Sequence, residues 1–480
     1  MKLQALAALL SLLAVTNATN INNRHANIAH KRQEASATAS GSASASAAAS
    51  SGAATSAAAS GAASAPAATS DVGLTSTPSP TATDVPALVS ISSGMSSGTT
   101  WAPTTTYSPG ATAPVSGAPA LPSAFVFQQG EWPAQDVVPP TDTDEVKQWL
   151  KELDGFTIPD ISTTDGTCAG SPDAVADAEA RGWWTCGGYT RATDITACDE
   201  KMHWGVSFDD GPAMYTGQVL KYLDENSLQA TFFVVGSRVI ERPGILLEEY
   251  MGGHDISVHT WSHRPLTSLT TEQVVAELGW TRKAIQAVLG VTPTTMRPPY
   301  GDMDDRVRAI ALAMGMVPII WSRGSNGESF DTNDWKVAGG VVSAPESYMA
   351  FQNILGNATE LDTGFIVLSH DLYEESVDMN VGYYLPAALN YDPPMTLESI
   401  SQCVGIPATN MYLESNQNTS FPYTNHTTGT DVNGDGSVDN STTAAGQSDT
   451  AGNGASASMS VVGLAHYSVV AAGLAVLGFL

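Results

Sequence analysis

Two adjacent carboxylates, Asp209 and Asp210, directly follow an apolar run at residues 203–208. Carboxylates beside a buried segment are costly in free energy unless they are paired or bound to a ligand, so the pair indicates a binding or catalytic position. The next two residues, Gly211 and Pro212, equally suit an ordinary turn, because both residue types favour turns. This motif alone leaves both interpretations open.

Two histidines, His259 and His263, stand four residues apart after a second apolar run at residues 254–258. Imidazole is the commonest metal ligand in proteins. Two histidines and one carboxylate form a metal site that leaves positions open for water and substrate. The alternative is a pair of surface histidines with ordinary hydrogen-bond partners.

Later motifs offer groups for acid–base chemistry. Arg297 precedes two prolines that fix the backbone, and its guanidinium fork can hold a carboxylate. The same turn can aim the main-chain N–H of Tyr300 at a developing oxyanion, or it is only a stiff structural turn. His370 follows a late apolar run and suits a general acid.

Alternating strand and helix patterns predict how these motifs are positioned. Strands are expected at residues 203–208, 230–235, 254–258, 294–297, 317–321 and 365–369, and helices at residues 214–226, 239–250, 271–289 and 303–314. This alternation predicts a parallel α/β sheet or barrel. In such folds the active site forms at the carboxyl ends of the strands, where the motifs stand.

With all the motifs in order, the sequence resembles the polysaccharide deacetylases of carbohydrate esterase family four (the NodB-like domain), and among them the fungal chitin deacetylases. The resemblance covers about residues 204–402. It is carried by Ser207-Phe208-Asp209-Asp210, His259-Thr260-Trp261-Ser262-His263, Arg297-Pro298-Pro299-Tyr300-Gly301, Asp331-Thr332-Asn333-Asp334-Trp335 and Leu368-Ser369-His370. It implies a distorted (β/α) barrel with fewer than eight repeats.

The resemblance also implies roles for individual residues. Asp210, His259 and His263 would bind one divalent ion, Zn²⁺ or Co²⁺. Asp209 would be the general base, and His370 the general acid. The remaining assignments are Arg297 to orient the base, Asp331 or Asp334 to orient the acid, the Tyr300 N–H to hold the oxyanion, and Tyr300, Trp335 and Leu368 to bind substrate.

The function expected from this resemblance is removal of N-acetyl groups from N-acetylglucosamine residues of chitin or chitooligosaccharides in a fungal cell wall, giving chitosan and acetate. Two alternatives are kept. One is deacetylation of another polysaccharide, xylan or peptidoglycan. The other is a wall mannoprotein that binds chitin without cleaving it.

Composition excludes one class of partner. The chain has 480 residues, with 20 Lys and Arg against 48 Asp and Glu, and a net charge of −28. Such a chain repels nucleic-acid phosphates, so nucleic acid is not expected as a partner. Only 14% of residues are charged, below the roughly 25% of ordinary globular domains, so part of the chain is expected to be non-globular.

These patterns divide the chain into segments. The expected order is a signal peptide at 1–18, a propeptide and disordered Ser/Thr/Ala/Pro-rich stalk at 19–123, an N-terminal extension at 124–200, the deacetylase domain at 201–407, a glycosylated linker at 408–453 and a GPI-attachment propeptide at 454–480. Expected N-glycosylation sites are Asn357, Asn418, Asn425 and Asn440.

The chain ends predict a secreted protein held at the cell wall and plasma membrane. GPI attachment is expected near Asn453, through which the protein would contact membrane or cell-wall glucan; the alternative is a membrane-spanning anchor from about Val461. Four cysteines favour two disulfides in a secreted protein. Three connectivities are possible, and Cys198 with Cys403 is favoured because that pair would tie the domain ends, which leaves Cys168 with Cys186.

Overall fold

The computed structural model describes residues 78–80, 84–95, 98, 100–418 and 421. The signal peptide, Asn425, Asn440, Asn453 and the segment 454–480 lie outside the described residues. Within the described part of the chain, no helix is long and apolar enough to cross a membrane.

A parallel sheet forms the centre of the described chain. Its strands are β1 (His203–Asp209), β2 (Thr231–Val234), β3 (Asp255–Val258), β4 (Thr295–Met296), β5 (Val317–Pro318), β6 (Phe365–Ile366) and β7 (Thr396–Ser399). The strand order is β5-β4-β3-β2-β1-β6, and β7 pairs with β1. All of these pairings are parallel.

The chain after β5 closes the sheet into a barrel. The main-chain N–H of Ser322 donates to the carbonyl of Ile366 in β6 at 2.9 Å. Farther along, the N–H of Leu368 donates to the carbonyl of Phe330 at 2.9 Å, and the N–H of Phe330 donates to the carbonyl of Ser322 at 3.0 Å. The two sheet edges therefore meet, and the predicted distorted (β/α) barrel is confirmed.

Helices cover the outside of the barrel. They are α1 (Asp144–Trp149), α2 (Pro172–Ala176), α3 (Thr216–Glu225), α4 (Gly236–Val239), α5 (Pro243–Met251), α6 (Thr271–Leu289), α7 (Asp305–Ala313), α8 (Asp334–Ala338), α9 (Ala344–Ala358), α10 (Glu374–Met379), α11 (Leu385–Leu389) and α12 (Ile400–Cys403). A π-helical turn, Asn380–Tyr384, joins α10 to α11, and 3-10 turns occur at Leu88–Ser90, Leu150–Leu153, Leu266–Ser268, Pro299–Gly301 and Ala408–Met411.

The longest helix, α6, has the bounds that the sequence predicts. A capping box between Thr270 and Gln273 starts it, and Gly290 ends it with φ at +80°. Strands β4, β5 and β6 are shorter than predicted. Strand β7 and helix α9 were not predicted, although Ser343 and Glu346 form a second capping box at the start of α9.

The predicted disordered stalk is wrong for its last part. Residues 84–95 and 100–123, called the strap below, lie against the barrel. Val85, Leu88, Ile91 and Leu121 of the strap are all buried. The prediction rested on the Ser/Thr/Pro-rich composition of the whole segment. A few apolar residues within it are nevertheless enough to cover a surface that the barrel already provides.

The predicted domain end at residue 407 is also too early. Met411 and Tyr412 are buried, and the Tyr412 hydroxyl accepts a hydrogen bond from the Ile256 N–H of β3 at 3.0 Å. The folded part therefore continues into the segment expected to be linker. The structure places its two disulfides at the predicted pairs, Cys168–Cys186 and Cys198–Cys403.

Candidate active site

The three predicted metal ligands meet at the carboxyl ends of β1 and β3. One ligand atom from each of Asp210, His259 and His263 lies within 4.8 Å of the others, and all three residues are buried. The Asp210 Oδ1 atom is 3.4 Å from His259 Nε2 and 3.0 Å from His263 Nε2. These residues are called the triad below.

The donor chemistry of the triad fits a divalent cation. His259 Nδ1 is 2.8 Å from the carbonyl oxygen of Arg297, which can only accept a hydrogen bond, so Nδ1 carries the proton. In the neutral imidazole, Nε2 then carries a free lone pair on the side of Asp210, where a cation could bind both residues. Burial alone would raise the pKa of Asp210, but the neighbouring His263 and Arg238 hold it well below its usual range, in the ionised form that binds cations.

The predicted base, Asp209, lies next to the triad and is held by Arg297. Asp209 Oδ1 accepts a hydrogen bond from Arg297 Nη1 at 2.6 Å, and both side chains are almost fully buried. The same Nη1 also contacts the Ser207 hydroxyl at 3.0 Å. The other carboxylate oxygen, Oδ2, is 3.9 Å from His259 Nε2. Arg297 thus contacts the predicted base directly.

The predicted acid reaches the site from the strand beside β1. The Asp209 N–H donates to the carbonyl of Ser369 at 3.0 Å, which sets His370 next to Asp209. His370 Nδ1 is 2.7 Å from Asp334 Oδ1, and the His370 N–H donates to Asp334 Oδ2 at 2.8 Å. Burial would lower the pKa of His370, but the charge and hydrogen bond of Asp334 outweigh it and raise the pKa to about 10.

The structure distinguishes the two carboxylates of the fourth motif. Asp334, fully buried, contacts His370. Asp331 instead accepts from the Asn333 N–H at 2.8 Å, and its Oδ2 lies 3.9 Å from Lys336 Nζ. Only the first of these carboxylates is placed to orient the acid, because the second is engaged within its own loop.

The predicted substrate-binding residues have different exposures. Leu368 is buried near the end of β6, whereas 42% of Tyr300 is exposed. The Tyr300 ring lies 4.7 Å from the His263 ring, between centroids. Trp335 is half-buried, with Lys336 Nζ 4.8 Å from its ring. Tyr300 is therefore at the solvent side of the triad.

Comparison with known proteins agrees with this geometry. Residues 196–319 match the family model described as polysaccharide deacetylase. The chain contains a polysaccharide deacetylase domain. The matched segment includes the triad, Asp209, Arg297 and Tyr300, and ends before β6 and His370.

Two relatives of the deacetylase domain are fungal chitin deacetylases. Chitin deacetylase 1 of Cryptococcus neoformans var. grubii is 51% identical over 313 residues, which cover 64% of this chain and 66% of that protein. Chitin deacetylase of Amylomyces rouxii is 34% identical over 265 residues, covering 52% of this chain and 61% of that protein. The chain thus spans just under two thirds of the length of these relatives.

A solved structure is also similar. The chitin deacetylase from Colletotrichum lindemuthianum matches with a TM-score of 0.41 at 22% identity, covering 48% of this chain and 99% of that chain.

Two residues that support the triad of the deacetylase domain were not predicted. Arg238 of α4 donates from Nη1 to the main-chain carbonyl of Asp210 at 2.6 Å. Glu277 of α6 accepts from the N–H groups of Trp261 and Ser262, both at 2.8 Å, and from the Ser262 hydroxyl. Glu277 therefore shapes the loop between the two histidines.

Neither supporting residue gave a clear signal in the sequence. Glu277 sits among apolar residues on the buried face of α6, where a carboxylate needs a partner. A carboxylate on the buried face of a helix was the one sequence feature that indicated a role for Glu277. Arg238 lies in a short helix between the predicted strand at 230–235 and the predicted helix at 239–250.

Proposed function

We propose that this protein hydrolyses the N-acetyl groups of N-acetylglucosamine residues in chitin, giving chitosan and acetate. The observation that carries the proposal is the pair Asp209 and His370, which lie side by side next to the triad and are held by separate partners. Amide hydrolysis needs such a pair, because water must lose a proton and the leaving amine must gain one. The names of the fungal relatives support chitin as the substrate.

The cofactor in this proposal is one divalent ion, Zn²⁺ or Co²⁺, held by Asp210, His259 and His263. Two imidazoles and a carboxylate suit either ion. Bound there, the ion would supply Lewis acidity, which polarises the acetyl carbonyl and makes a water molecule more acidic.

Asp209 is the general base of the proposed reaction. Its Oδ1 is occupied by the Arg297 guanidinium, which fixes the orientation of the carboxylate and leaves Oδ2 on the side of the triad. The Oδ2 atom takes a proton from the attacking water. Arg297 therefore acts through Asp209 as a positioning residue.

His370 is the general acid. Because Asp334 accepts at Nδ1, the proton that moves belongs to Nε2. The raised pKa keeps His370 protonated at neutral pH. Its Nε2–H protonates the nitrogen of the leaving amine as the carbon–nitrogen bond breaks.

The remaining groups bind the acetyl unit. The Tyr300 N–H holds the developing oxyanion, because its turn stands at the triad. Leu368 and Trp335 enclose the acetyl methyl group, since one side chain is apolar and buried and the other offers a large ring.

We also propose that the protein is secreted, N-glycosylated and held by a GPI anchor near Asn453 at the plasma membrane or on cell-wall glucan. The support is the pattern of the two chain ends. The test is release of the surface protein by phosphatidylinositol-specific phospholipase or glucanase. Detection of a peptide from residues 467–480 in the mature protein by mass spectrometry would contradict the anchor.

The function is tested by assaying the purified, metal-loaded protein on chitin pentamer, acetylated xylan and peptidoglycan. The proposal expects acetate and free amines in equal amounts from the chitin oligomer, and much less acetate from the other two. Release from xylan or peptidoglycan alone would overturn the substrate. Binding to chitin without acetate release would favour a non-catalytic wall protein.

A further inference from the structure

Asp302 is a fully buried carboxylate that accepts four hydrogen bonds. Its Oδ1 accepts from the Trp183 indole N–H at 2.8 Å and from the Thr185 hydroxyl at 2.7 Å. Its Oδ2 accepts from the N–H of Thr267 at 2.9 Å and from the Thr267 hydroxyl at 2.6 Å. The four donors satisfy both oxygens of a carboxylate that has no part in the proposed proton transfers.

These partners belong to different parts of the site. Asp302 itself follows Tyr300 in the same turn, and Thr267 lies in the loop that begins at His263. The other donors, Trp183 and Thr185, lie in a segment of the N-terminal extension, residues 164–186, within which a disulfide is closed. One carboxylate thus joins the turn that contains Tyr300 (the Tyr300 turn), the loop that begins at His263 (the His263 loop) and residues 164–186. Residues 164–186 are called the clamp below.

The clamp contacts the Tyr300 turn at further points. The Trp184 N–H donates to the carbonyl of Met303 at 2.9 Å. A Cβ atom on Gly301 would lie only 2.2 Å from the Trp184 ring, and Gly301 has φ at +67°. The ring therefore packs directly on the backbone of the turn, where only glycine fits.

The clamp also contacts the His263 loop. The Thr164 N–H donates to the carbonyl of Thr267 at 3.0 Å, and the two threonine hydroxyls are 2.5 Å apart. A Cβ atom on Gly166 would lie 2.5 Å from Pro265. Both loops are therefore packed against the same short segment.

Backbone conformation shows why such support is needed. Tyr300 has φ at +61° and His263 has φ at +56°. Residues other than glycine rarely adopt this left-handed conformation, and they keep it only where surrounding contacts enforce it. The two strained residues stand beside each other in the site, and the clamp contacts the segments that follow both.

We propose that Asp302 is a positioning residue that, together with the clamp, fixes the Tyr300 N–H relative to His263. The proposal rests on the proposed function for its catalytic consequence. An oxyanion donor acts mainly in the transition state, so its displacement lowers kcat and leaves KM for the oligomer nearly unchanged. Loss of one such donor costs about 10²–10³-fold in kcat, and displacement should cost about 10- to 100-fold.

The experiment uses the full secreted protein loaded with Zn²⁺ and compares Asp302→Ala with Asp305→Ala. Asp305 is also a buried carboxylate that ties the extension to the barrel, since it accepts from Arg191 at 2.7 Å. It does not contact Tyr300 or Thr267. Kinetics on chitin pentamer, metal content and hydrogen–deuterium exchange of residues 263–268 and 299–303 are measured for each variant.

Asp302→Ala should lower kcat about 10- to 100-fold, keep the metal and speed exchange in both segments, whereas Asp305→Ala should keep kcat within about twofold. A wild-type kcat for folded Asp302→Ala, or an equal loss for both variants, would overturn the proposal.

If Asp302→Ala does not fold, a second pair of variants tests the same contact. Thr185→Val should lower kcat and Thr185→Ser should restore it, and an unchanged kcat in Thr185→Val is then the contradicting result. If the wild type releases no acetate, the proposed function fails, and the exchange rates still decide whether Asp302 positions the turn.

Discussion

Asp334 contacts His370 at two points, one on the ring and one on the main chain. Its Oδ1 is 2.7 Å from Nδ1, and its Oδ2 accepts from the His370 N–H at 2.8 Å. The carboxylate therefore fixes both the position of the residue and the orientation of its imidazole. The same contact stabilises the protonated ring and raises its pKa to about 10, against the opposing effect of burial.

Asp334→Asn should move the alkaline limb of the pH–rate profile to lower pH. The variant loses the negative charge that favours protonated His370, so the pKa of the acid falls, by about 1–3 units for a close charge partner. In the wild type, a cation at the triad offsets the Asp210 charge, so we expect its limb below pH 10. The measurement is kcat/KM on chitin oligomers against pH.

The matched control for this prediction is Asp331→Asn. It removes a charge from the same loop, but Asp331 makes its hydrogen bond to Asn333 and not to His370. Its alkaline limb should stay close to that of the wild type. An unmoved limb in Asp334→Asn, or equal shifts in both variants, would show that Asp334 does not set the pKa of the acid.

Glu277→Leu should weaken metal binding. It removes the acceptor of the Trp261 and Ser262 N–H groups, which shapes the loop between His259 and His263. Loss of a residue that orients metal ligands typically costs about 10- to 100-fold in affinity. The measurement is competition with a chelator of known affinity. The control is Glu152→Gln, which removes the ion pair between Glu152 and Arg282 of α6. A wild-type affinity in Glu277→Leu would contradict the role.

Leu88→Ala should destabilise the fold, because Leu88 of the strap is fully buried. Such truncations typically lower the free energy of unfolding by about 2–5 kcal/mol. The neighbouring residue provides the control, since Val89 is 66% exposed and Val89→Ala should change little. Urea unfolding of both variants checks this, and an equal stability of the two would mean that the strap does not stabilise the barrel.

The triad and the pair Asp209 and His370 could be predicted because each follows a strand pattern. Parallel strands bring their carboxyl ends to one edge, so residues far apart in sequence converge there. Helix α6 was predicted with its bounds because its capping box and terminal glycine are local signals. Each of these predictions can therefore be made from short stretches of sequence.

Other features depend on contacts that no local pattern carries. Whether Asp334 or Asp331 contacts His370 depends on how their loop packs against the chain that follows β6. The strap was mistaken for a stalk because its apolar residues are sparse, and their burial needs a surface made elsewhere in the chain. The left-handed backbone conformation of His263, with φ at +56°, has no sequence signal, since non-glycine residues adopt it under tertiary constraint.

In the proposed reaction, Asp209 is the base and is not needed to hold the metal. The most direct measurement determines metal content and acetate release from chitin pentamer together for the wild type, Asp209→Asn and His263→Ala. We expect Asp209→Asn to keep its metal and lose about 10²–10⁴-fold in rate, whereas His263→Ala should lose metal and activity together. Loss of metal in Asp209→Asn, or a near-normal rate in that variant with metal bound, would contradict this assignment.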